Sequence, residues 1–576
     1  MAQGNYEAAI RSLNKSLMIK VEELGGKNLE VATTMHTTAD VLQKQSKLKE
    51  ALRVFKESCE IRRELQGADS MDVAISLDRM GVVYKKLGNY QQSLQNFLQS
   101  KEIFELRFGK ENLTVAGALM NLGNVLKYLG RYEEAVEKHQ ESVAIKKRIL
   151  GPMHPEVAKS LGNLGSVFEK IGQPENALAI YAECLVVQKE KLGPKSQDVA
   201  RTLKGRGVIL NAQGRLDEAL LELDEALVIT EKIVGHMHRD VAALLLVIAE
   251  CLFNKCMYSE ALVKYHDAIQ ITRIIVGADK PHMDIAVALR GKGNVLLATG
   301  EDEAALALYK ESHGIFVACV GNKHSEVAMS LDMIASALTK LGRYDEALKQ
   351  HLLARDARQK TEADSRAVAT NYVYIADIYT KTGELRNALE YYKMAHKIQA
   401  KMTKEGAGTP QIAHTLSSMG VVYKKLGQYQ LAAVEYGRAS KILRSLYGPT
   451  HLSIAVVTMN QANVYHHMGA YEMALAAHKE ALDIKIHLLG SKNREVAKSL
   501  GNTALTLMKL GRYDEAQEMY EQCLEIQLRI QNGRTLDVAR TLRGKGGVLS
   551  NQVLFHRISS HSLKTLSTRH SATSHV

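Results

Sequence analysis

The features of this sequence that could take part in chemistry are its histidines and its glycine-rich segments. Histidines could bind a metal or activate a nucleophile, and a glycine-rich segment could form a phosphate-binding loop. The chain contains no GxxxxGKS, GxxxxGKT, HExxH or GxSxG pattern, and Gly205-Arg-Gly207 falls inside a predicted helix. His139, His351 and His478 share one repeat position with Tyr and Phe, which predicts partly buried core rings. We therefore predict no catalytic residue, no metal ligand and no cofactor.

The cysteines form no recognisable site. The six residues are scattered without a CxxC pair or a zinc-type spacing, and Cys184 and Cys523 stand where other repeats have Ala or Ser. This usage predicts reduced thiols in helices. The N-terminal residues also lack the continuous apolar core of a signal peptide. Together these features predict a cytoplasmic protein that does not insert into a membrane.

Composition favours an extended helical array. The chain has 576 residues, 46% of them hydrophobic, with 7 Pro and no Trp, and it exceeds the size at which a single globular core stops growing. The net charge is +12, of which the last 23 residues supply three charges. The remaining excess is mild, so it suits acidic peptide partners and does not favour nucleic acid.

A turn motif recurs along nearly the whole chain, mostly at a spacing of 42 residues. Its clearest copies are Gly88-Asn-Tyr, Gly130-Arg-Tyr, Gly172-Gln-Pro, Gly214-Arg-Leu, Gly342-Arg-Tyr, Gly427-Gln-Tyr, Gly469-Ala-Tyr and Gly511-Arg-Tyr. Each turn separates two amphipathic helices, for example 156–170 and 174–192, with Gly172 as the stop and Pro174 in the next first turn.

The motif predicts the domain organisation. Residues 1–552 form a repeat array of about twelve full helix pairs with a half-repeat at each end. Residues 553–576 are rich in Ser, Thr and His and are predicted to be a disordered tail.

Small residues occupy fixed positions of every repeat. Five residues after the turn stands Ala or Ser, as at Ala177, and seven residues later stands Ala, Ser or Cys, as at Ser142. Gly or Ala also stands seven residues before the turn, as at Gly165. These positions predict a close approach of the two helices, with aromatic residues such as Tyr181 filling the core between them.

This pattern of small residues resembles that of the tetratricopeptide repeat. The inter-repeat phrase Leu150-Gly-Pro-Met-His-Pro-Glu-Val-Ala158, with the 42-residue period, is similar to the repeats of kinesin light chains and nephrocystin-like proteins. The resemblance implies an all-α fold, a right-handed superhelical solenoid of antiparallel helix pairs. It further implies a non-catalytic scaffold or cargo adaptor that binds protein or peptide segments in a concave groove, within a motor or cytoskeletal complex.

The same resemblance points to candidate binding residues. Some family members hold a peptide carboxylate with an amide and basic clamp on their first helices, and three of its five positions hold Asn124, Asn163 and Arg201 here. Lys159 and Lys204 lie nearby, while Met120 and Gly205 replace the other two, normally basic, residues. Amide and guanidinium groups on adjacent helices can bond the backbone and carboxylates of an extended peptide.

A longer period of 339 residues repeats this set. Met80 to Gly88 recurs unchanged as Met419 to Gly427, which predicts the internal duplication of an eight-repeat block. The second set of candidate peptide-binding residues consists of Asn463, Lys498, Asn502, Arg540 and Arg543.

Two alternative functions stay open. A co-chaperone-type protein would bind acidic C-terminal peptides through the same clamp. A helical-repeat RNA-binding protein would read one base per repeat through paired side chains; the candidate groove positions hold no consistent code for this.

Overall fold

The computed structural model describes residues 2–359, 365–403, 408–530 and 535–572 and divides the chain into two compact units, Met1–Val295 and Leu296–Val576. Every regular element among these described residues is an α-helix. The predicted all-α class is therefore confirmed.

The first unit contains thirteen helices and most of a fourteenth, counted over its described residues. They are α1 Ala2–Leu24, α2 Leu29–Lys44, α3 Leu48–Gln66, α4 Met71–Lys86, α5 Tyr90–Phe108, α6 Leu113–Tyr128, α7 Tyr132–Leu150, α8 Pro155–Ile171, α9 Pro174–Lys191, α10 Gln197–Ala212, α11 Leu216–Val234, α12 Arg239–Asn254, α13 Tyr258–Val276 and α14 Met283–Thr299.

The second unit contains the end of α14 and the following helices of the described ranges. They are α15 Asp302–Val320, α16 Ser325–Lys340, α17 Tyr344–Gln359, α18 Arg366–Thr382, α19 Leu385–Lys401, α20 Pro410–Lys425, α21 Tyr429–Tyr447, α22 Leu452–His467, α23 Tyr471–Leu489, α24 Arg494–Lys509, α25 Tyr513–Ile530 and α26 Leu536–Ala572.

Packing follows chain order within each unit. In the first unit the pairs α2–α3 to α12–α13 pack side by side, and in the second the pairs α16–α17 to α24–α25 do the same. The second helix of a pair also packs against the first helix of the next, as α25 does against α26. Short turns join the partners, so each pair is an antiparallel helical hairpin.

The turn residue adopts the left-handed backbone conformation that ends the first helix. Gly172 has a φ of 79°, a region that glycine enters without steric cost. Where the sequence has Ser46 or Cys256 instead, the φ is 63° or 62°. The backbone geometry of the turn is thus kept even where the residue type is unfavourable for it.

First helices begin at a side chain that accepts a backbone N–H. Asn112 and Ser196 act in this way, as N-cap residues commonly do. In several repeats the acceptor is a histidine: Nδ1 of His154 accepts from the N–H of Glu156 at 3.2 Å. The His of the inter-repeat phrase is therefore a helix cap, a role that the sequence pattern alone did not indicate.

The helix interface is as tight as the small residues predict. Ala177 is fully buried, and a Cβ on Gly165 would lie 2.6 Å from the ring of Tyr181. His139, His351 and His478 are buried in the core at the position of these aromatic rings.

The C-terminal segment differs from its expectation. The helix α26 continues to Ala572, so the backbone of 553–572 is helical where composition predicts disorder, and 573–576 lie outside the described residues. The segment 553–572 contains neither Gly nor Pro, so nothing in it interrupts a helix that has already begun.

Candidate functional site

Clefts lie between successive first helices, on the face where the candidate clamp residues stand. One that contains clamp residues lies in the second unit between α24 and α26, with α25 beneath it, and has a volume of about 590 Å³. Four of the five predicted residues of the second set line it: Lys498, Asn502, Arg540 and Arg543. Asn463 is half-buried on α22 and lies outside the lining.

The basic side chains of this cleft stay accessible. Lys498 pairs with Glu495 at 2.6 Å, and Arg540 pairs with Asp537 at 3.5 Å, both within one turn of their own helix. The side chain of Arg540 is 72% exposed, and Arg543 is exposed on the same helix. Such exposed pairs contribute little to stability and exchange readily for a ligand carboxylate.

The floor of the cleft is fixed by a tyrosine and a glycine. Tyr520 rises from α25 between the two first helices, and a Cβ on Gly544 of α26 would lie 2.6 Å from its ring. Glycine is needed there because any side chain would displace the ring. Gly544 stands 339 residues after Gly205, which replaces a basic clamp group in the first set, so this replacement makes room for an aromatic floor.

A hydrogen-bonded set of side chains supports that floor. The Thr541 hydroxyl donates to Oε1 of Gln527 at 3.0 Å and contacts the Cys523 thiol at 3.6 Å. These buried groups hold α25 and α26 together beneath the basic residues.

The first set of clamp residues is arranged differently. Arg201 and Lys204 line a smaller cavity of about 210 Å³ between α10 and α12, together with Asp240. Arg201 pairs with Asp198 at 2.7 Å. Burial lowers the pKa of the Lys204 ammonium, while the carboxylates of Asp240 and Asp284 oppose that shift.

The other members of the first set do not line this cavity. Lys159 lies 3.8 Å from Glu156 and is 60% exposed, and Asn124 and Asn163 are half-buried on α6 and α8. The structure therefore gathers four of five residues around one cleft in the second unit and only two of five in the first.

The cleft floor nevertheless has a copy in the first unit. Thr202 donates to Gln188 at 2.9 Å, as Thr541 does to Gln527. A Cβ on Gly205 would lie 3.1 Å from the ring of Tyr181. Sequence reasoning missed the tyrosine floor; the signal was a Gly nine residues before the turn, following a Tyr in the preceding second helix.

The described ranges contain neither a metal-binding cluster nor a membrane-spanning helix. No cluster of three or more His, Cys, Asp or Glu side chains suited to a metal ion occurs there. No helix in that part of the chain has the length and apolar character needed to span a bilayer.

Helix pairs that stack in chain order, with polar clefts between successive first helices, define a helical repeat protein. The model of the tetratricopeptide repeat family matches most of the chain, over 1–64, 39–106, 72–148, 114–190, 156–232, 284–360, 325–401, 411–486 and 495–552. The chain belongs to the tetratricopeptide repeat family, and it is a protein-interaction scaffold of that family.

Two relatives and one solved structure are similar to parts of the chain. The chain is 32% identical over 161 residues to the Arabidopsis thaliana Protein KINESIN LIGHT CHAIN-RELATED 2, and 27% identical over 121 residues to KINESIN LIGHT CHAIN-RELATED 3. These matches cover 27% and 21% of this chain, and the chain spans 23% and 18% of the length of those relatives. The crystal structure of BtubC (BKLC) from P. vanneervenii matches with a TM-score of 0.37 and 18% identity, covering 41% of this chain and 93% of that chain.

Proposed function

We propose that this chain is a non-catalytic cytoplasmic adaptor that binds an extended acidic peptide in the cleft between α24 and α26. The observation that carries the proposal is the convergence of Lys498, Arg540 and Arg543 with the amide of Asn502 around one cleft. Guanidinium groups pair with carboxylates in a fork geometry, and the amide can bond the peptide backbone.

The names of the matched relatives suggest a partner class. Both are kinesin light chain-related proteins, so we propose a motor or cytoskeletal complex as the setting and a cargo protein as the source of the acidic peptide. Copurification with a kinesin heavy chain is the measurement that addresses this setting, separately from peptide binding.

The peptide cleft is tested with a defined probe. A short fluorescent peptide with several Asp residues is titrated against the chain by fluorescence anisotropy, beside a version in which Asn replaces each Asp. Arg540→Glu combined with Arg543→Glu is expected to weaken binding of the Asp peptide by about tenfold or more, because two attractive charges become repulsive. Binding that does not change would contradict the proposal.

A control variant makes half of that charge change, one Arg→Glu substitution in place of two, at a position outside the cleft. Arg529 on α25 is 55% exposed, pairs with Glu525 at 2.9 Å and does not line the cleft. Arg529→Glu is expected to leave the affinity close to that of the unaltered chain. Comparing a free with an amidated peptide C-terminus distinguishes an internal acidic segment from the C-terminal carboxylate that a co-chaperone-type clamp would hold.

A further inference from the structure

A second cleft of the same unit places one carboxylate beside two lysines and a histidine. It lies between α16, α18 and α20, has a volume of about 410 Å³ and is floored by His351 and Tyr392. Asp377 of α18 supplies the only carboxylate among the described residues that line it. Hydroxyl groups of Ser336 and Ser418 stand on the flanking helices.

Repeat positions distinguish this cleft from the two clamp sets. Asp377 stands six residues before its turn glycine, where Asn124 and Asn463 stand in their own repeats. The position thirteen residues before the turn is basic in two of the three repeats of each clamp set. Around this cleft that position is held by Met329, Thr370 and His414. Asp377 therefore places an acid where those two repeats have an amide. None of the three repeats around this cleft has a lysine or arginine thirteen residues before its turn.

Two lysines reach the cleft, but their ammonium groups have other partners. Lys340 donates to the carbonyl oxygen of Leu297 at 2.7 Å, and the Lys381 ammonium lies over the ring of Tyr344, 5.9 Å from its centroid. Within the described ranges neither forms an ion pair with Asp377.

Among the described residues, Asp377 is not part of any ion pair. Its carboxylate accepts a hydrogen bond from the Tyr392 hydroxyl. Burial raises the pKa of the Asp377 carboxyl, while that hydrogen bond and the nearby His414 and Lys381 oppose the shift. A cation placed against the carboxylate would offset the cost of its burial.

An aromatic face stands in the same cleft. The ring of Tyr374 is 37% exposed and stacks on His351, with centroids 5.3 Å apart. Nδ1 of His351 lies 2.7 Å from Asp332, which Arg358 also contacts at 2.6 Å. The buried pair holds the histidine, and the histidine supports the tyrosine ring.

We propose that this cleft binds the arginine side chain of a partner peptide. The planar guanidinium would pair with the carboxylate of Asp377 and stack on Tyr374, while the hydroxyl oxygens of Ser336 and Ser418 accept its remaining N–H groups. The site lies in other repeats than the acidic-peptide cleft and does not depend on it.

The test compares two peptides that differ only in charge. An acetylated, amidated and fluorescently labelled peptide with one Arg between glycines is titrated against the full chain, beside the same peptide with citrulline. The Arg peptide is expected to bind about tenfold more tightly, and Asp377→Asn to abolish that preference, because the neutral amide keeps the Tyr392 hydrogen bond but not the charge. Equal binding of the two peptides, or a preference that survives Asp377→Asn, overturns the proposal.

Two further variants separate binding from folding. Asp345→Asn removes an exposed carboxylate of α17 outside the cleft and is expected to leave the preference intact. Tyr374→Ala removes the stacking face and is expected to weaken binding of the Arg peptide several-fold. If Asp377→Asn lowers the melting temperature, Tyr374→Ala becomes the deciding variant, and an unchanged affinity of that variant for the Arg peptide then overturns the proposal. Binding of the Asp-rich probe between α24 and α26 should be the same in all three variants.

Discussion

The thiol of Cys523 donates a hydrogen bond to the backbone carbonyl oxygen of Ala497, 3.1 Å away. Other repeats make the same bond at the same separation of 26 residues: Ser58 to Ala32, Ser100 to Ala74, Ser142 to Ala116 and Cys184 to Ala158. The small residue twelve positions after the turn therefore does more than permit close packing. It ties the second helix to the first helix of its own pair.

Removing such a hydroxyl is expected to destabilise its repeat. Ser142 is fully buried and donates to Ala116 at 2.7 Å, so Ser142→Ala should lower the free energy of unfolding by about 1 kcal/mol. Urea denaturation followed by circular dichroism measures the change. Ser142→Cys should lose less, because Cys fills the equivalent position at Cys184 and Cys523. An alanine variant as stable as the parent would show that the bond contributes nothing.

Enlarging the small residue five positions after the turn should also destabilise the repeat, here by steric crowding. Ala177 is fully buried at the helix crossing, so Ala177→Leu is expected to overpack it and cost about 1–3 kcal/mol. Ala182→Leu on the exposed face of the same helix is the control and should change little. Equal melting temperatures of the two variants would refute the assignment of Ala177 to the interface.

The boundaries of the fold followed from local chemistry. The turn at Gly172 and Pro174 predicted a first helix over 156–170 and a second over 174–192, and α8 and α9 occupy Pro155–Ile171 and Pro174–Lys191. Such signals act within a few residues, so one sequence contains them. The histidine caps were not predicted, because His is an uncommon N-cap and its role depends on the Nδ1 geometry.

The site was predicted less completely, because it depends on residues from other repeats. Arg540 and Arg543 share one helix face, so their common cleft follows from helical periodicity. Lys204 holds the repeat position of Arg543, but the carboxylates of Asp240 and Asp284 on neighbouring first helices raise the pKa of its ammonium against the effect of burial. Which carboxylates face a given lysine is set by packing between repeats, and the sequence order does not show it.

His139 is expected to make the first unit sensitive to acid. Its ring is fully buried, and neither ring nitrogen has a hydrogen-bond partner among the described residues. Burial lowers the pKa of His139 from 6.5 to about 4, with smaller contributions from Lys127 and Lys146. Between pH 6.5 and 4 the histidine is therefore protonated in the unfolded chain but neutral in the folded chain. The free energy of unfolding that His139 contributes above pH 6.5 is lost as the pH falls toward 4.

His139→Phe should remove this contribution, because Phe97 fills the same position of the preceding repeat. The variant should gain stability over the parent as the pH falls from 7 toward 4, by on the order of 3 kcal/mol at the acid end. Urea denaturation at several pH values measures the difference. His236→Gln alters a histidine that is 79% exposed and should follow the parent curve. A His139→Phe curve parallel to that of the parent would contradict the assignment.

We expect the two copies of the cleft floor to differ in their affinity for an acidic peptide. This expectation rests on the proposed function. Of the sixteen residues that line the cleft between α24 and α26, twelve recur unchanged 339 positions earlier. One of the differences is Glu169, which stands where the second unit has Met508. After burial, the carboxylate of Glu169 is the main influence that raises the pKa of the floor residue Tyr181. A negative charge felt at the floor should repel an anionic ligand.

Glu169→Met is therefore expected to strengthen binding of the Asp-rich probe to the first unit, by about threefold to tenfold. The measurement uses a chain that also carries Arg540→Glu and Arg543→Glu, so that only the first copy binds. The reciprocal change, Met508→Glu in the unaltered chain, should weaken the second copy to a similar degree. If neither substitution changes the affinity while the Arg540 and Arg543 variant does, the cleft binds acidic peptides but residue 169 does not set the difference between the copies.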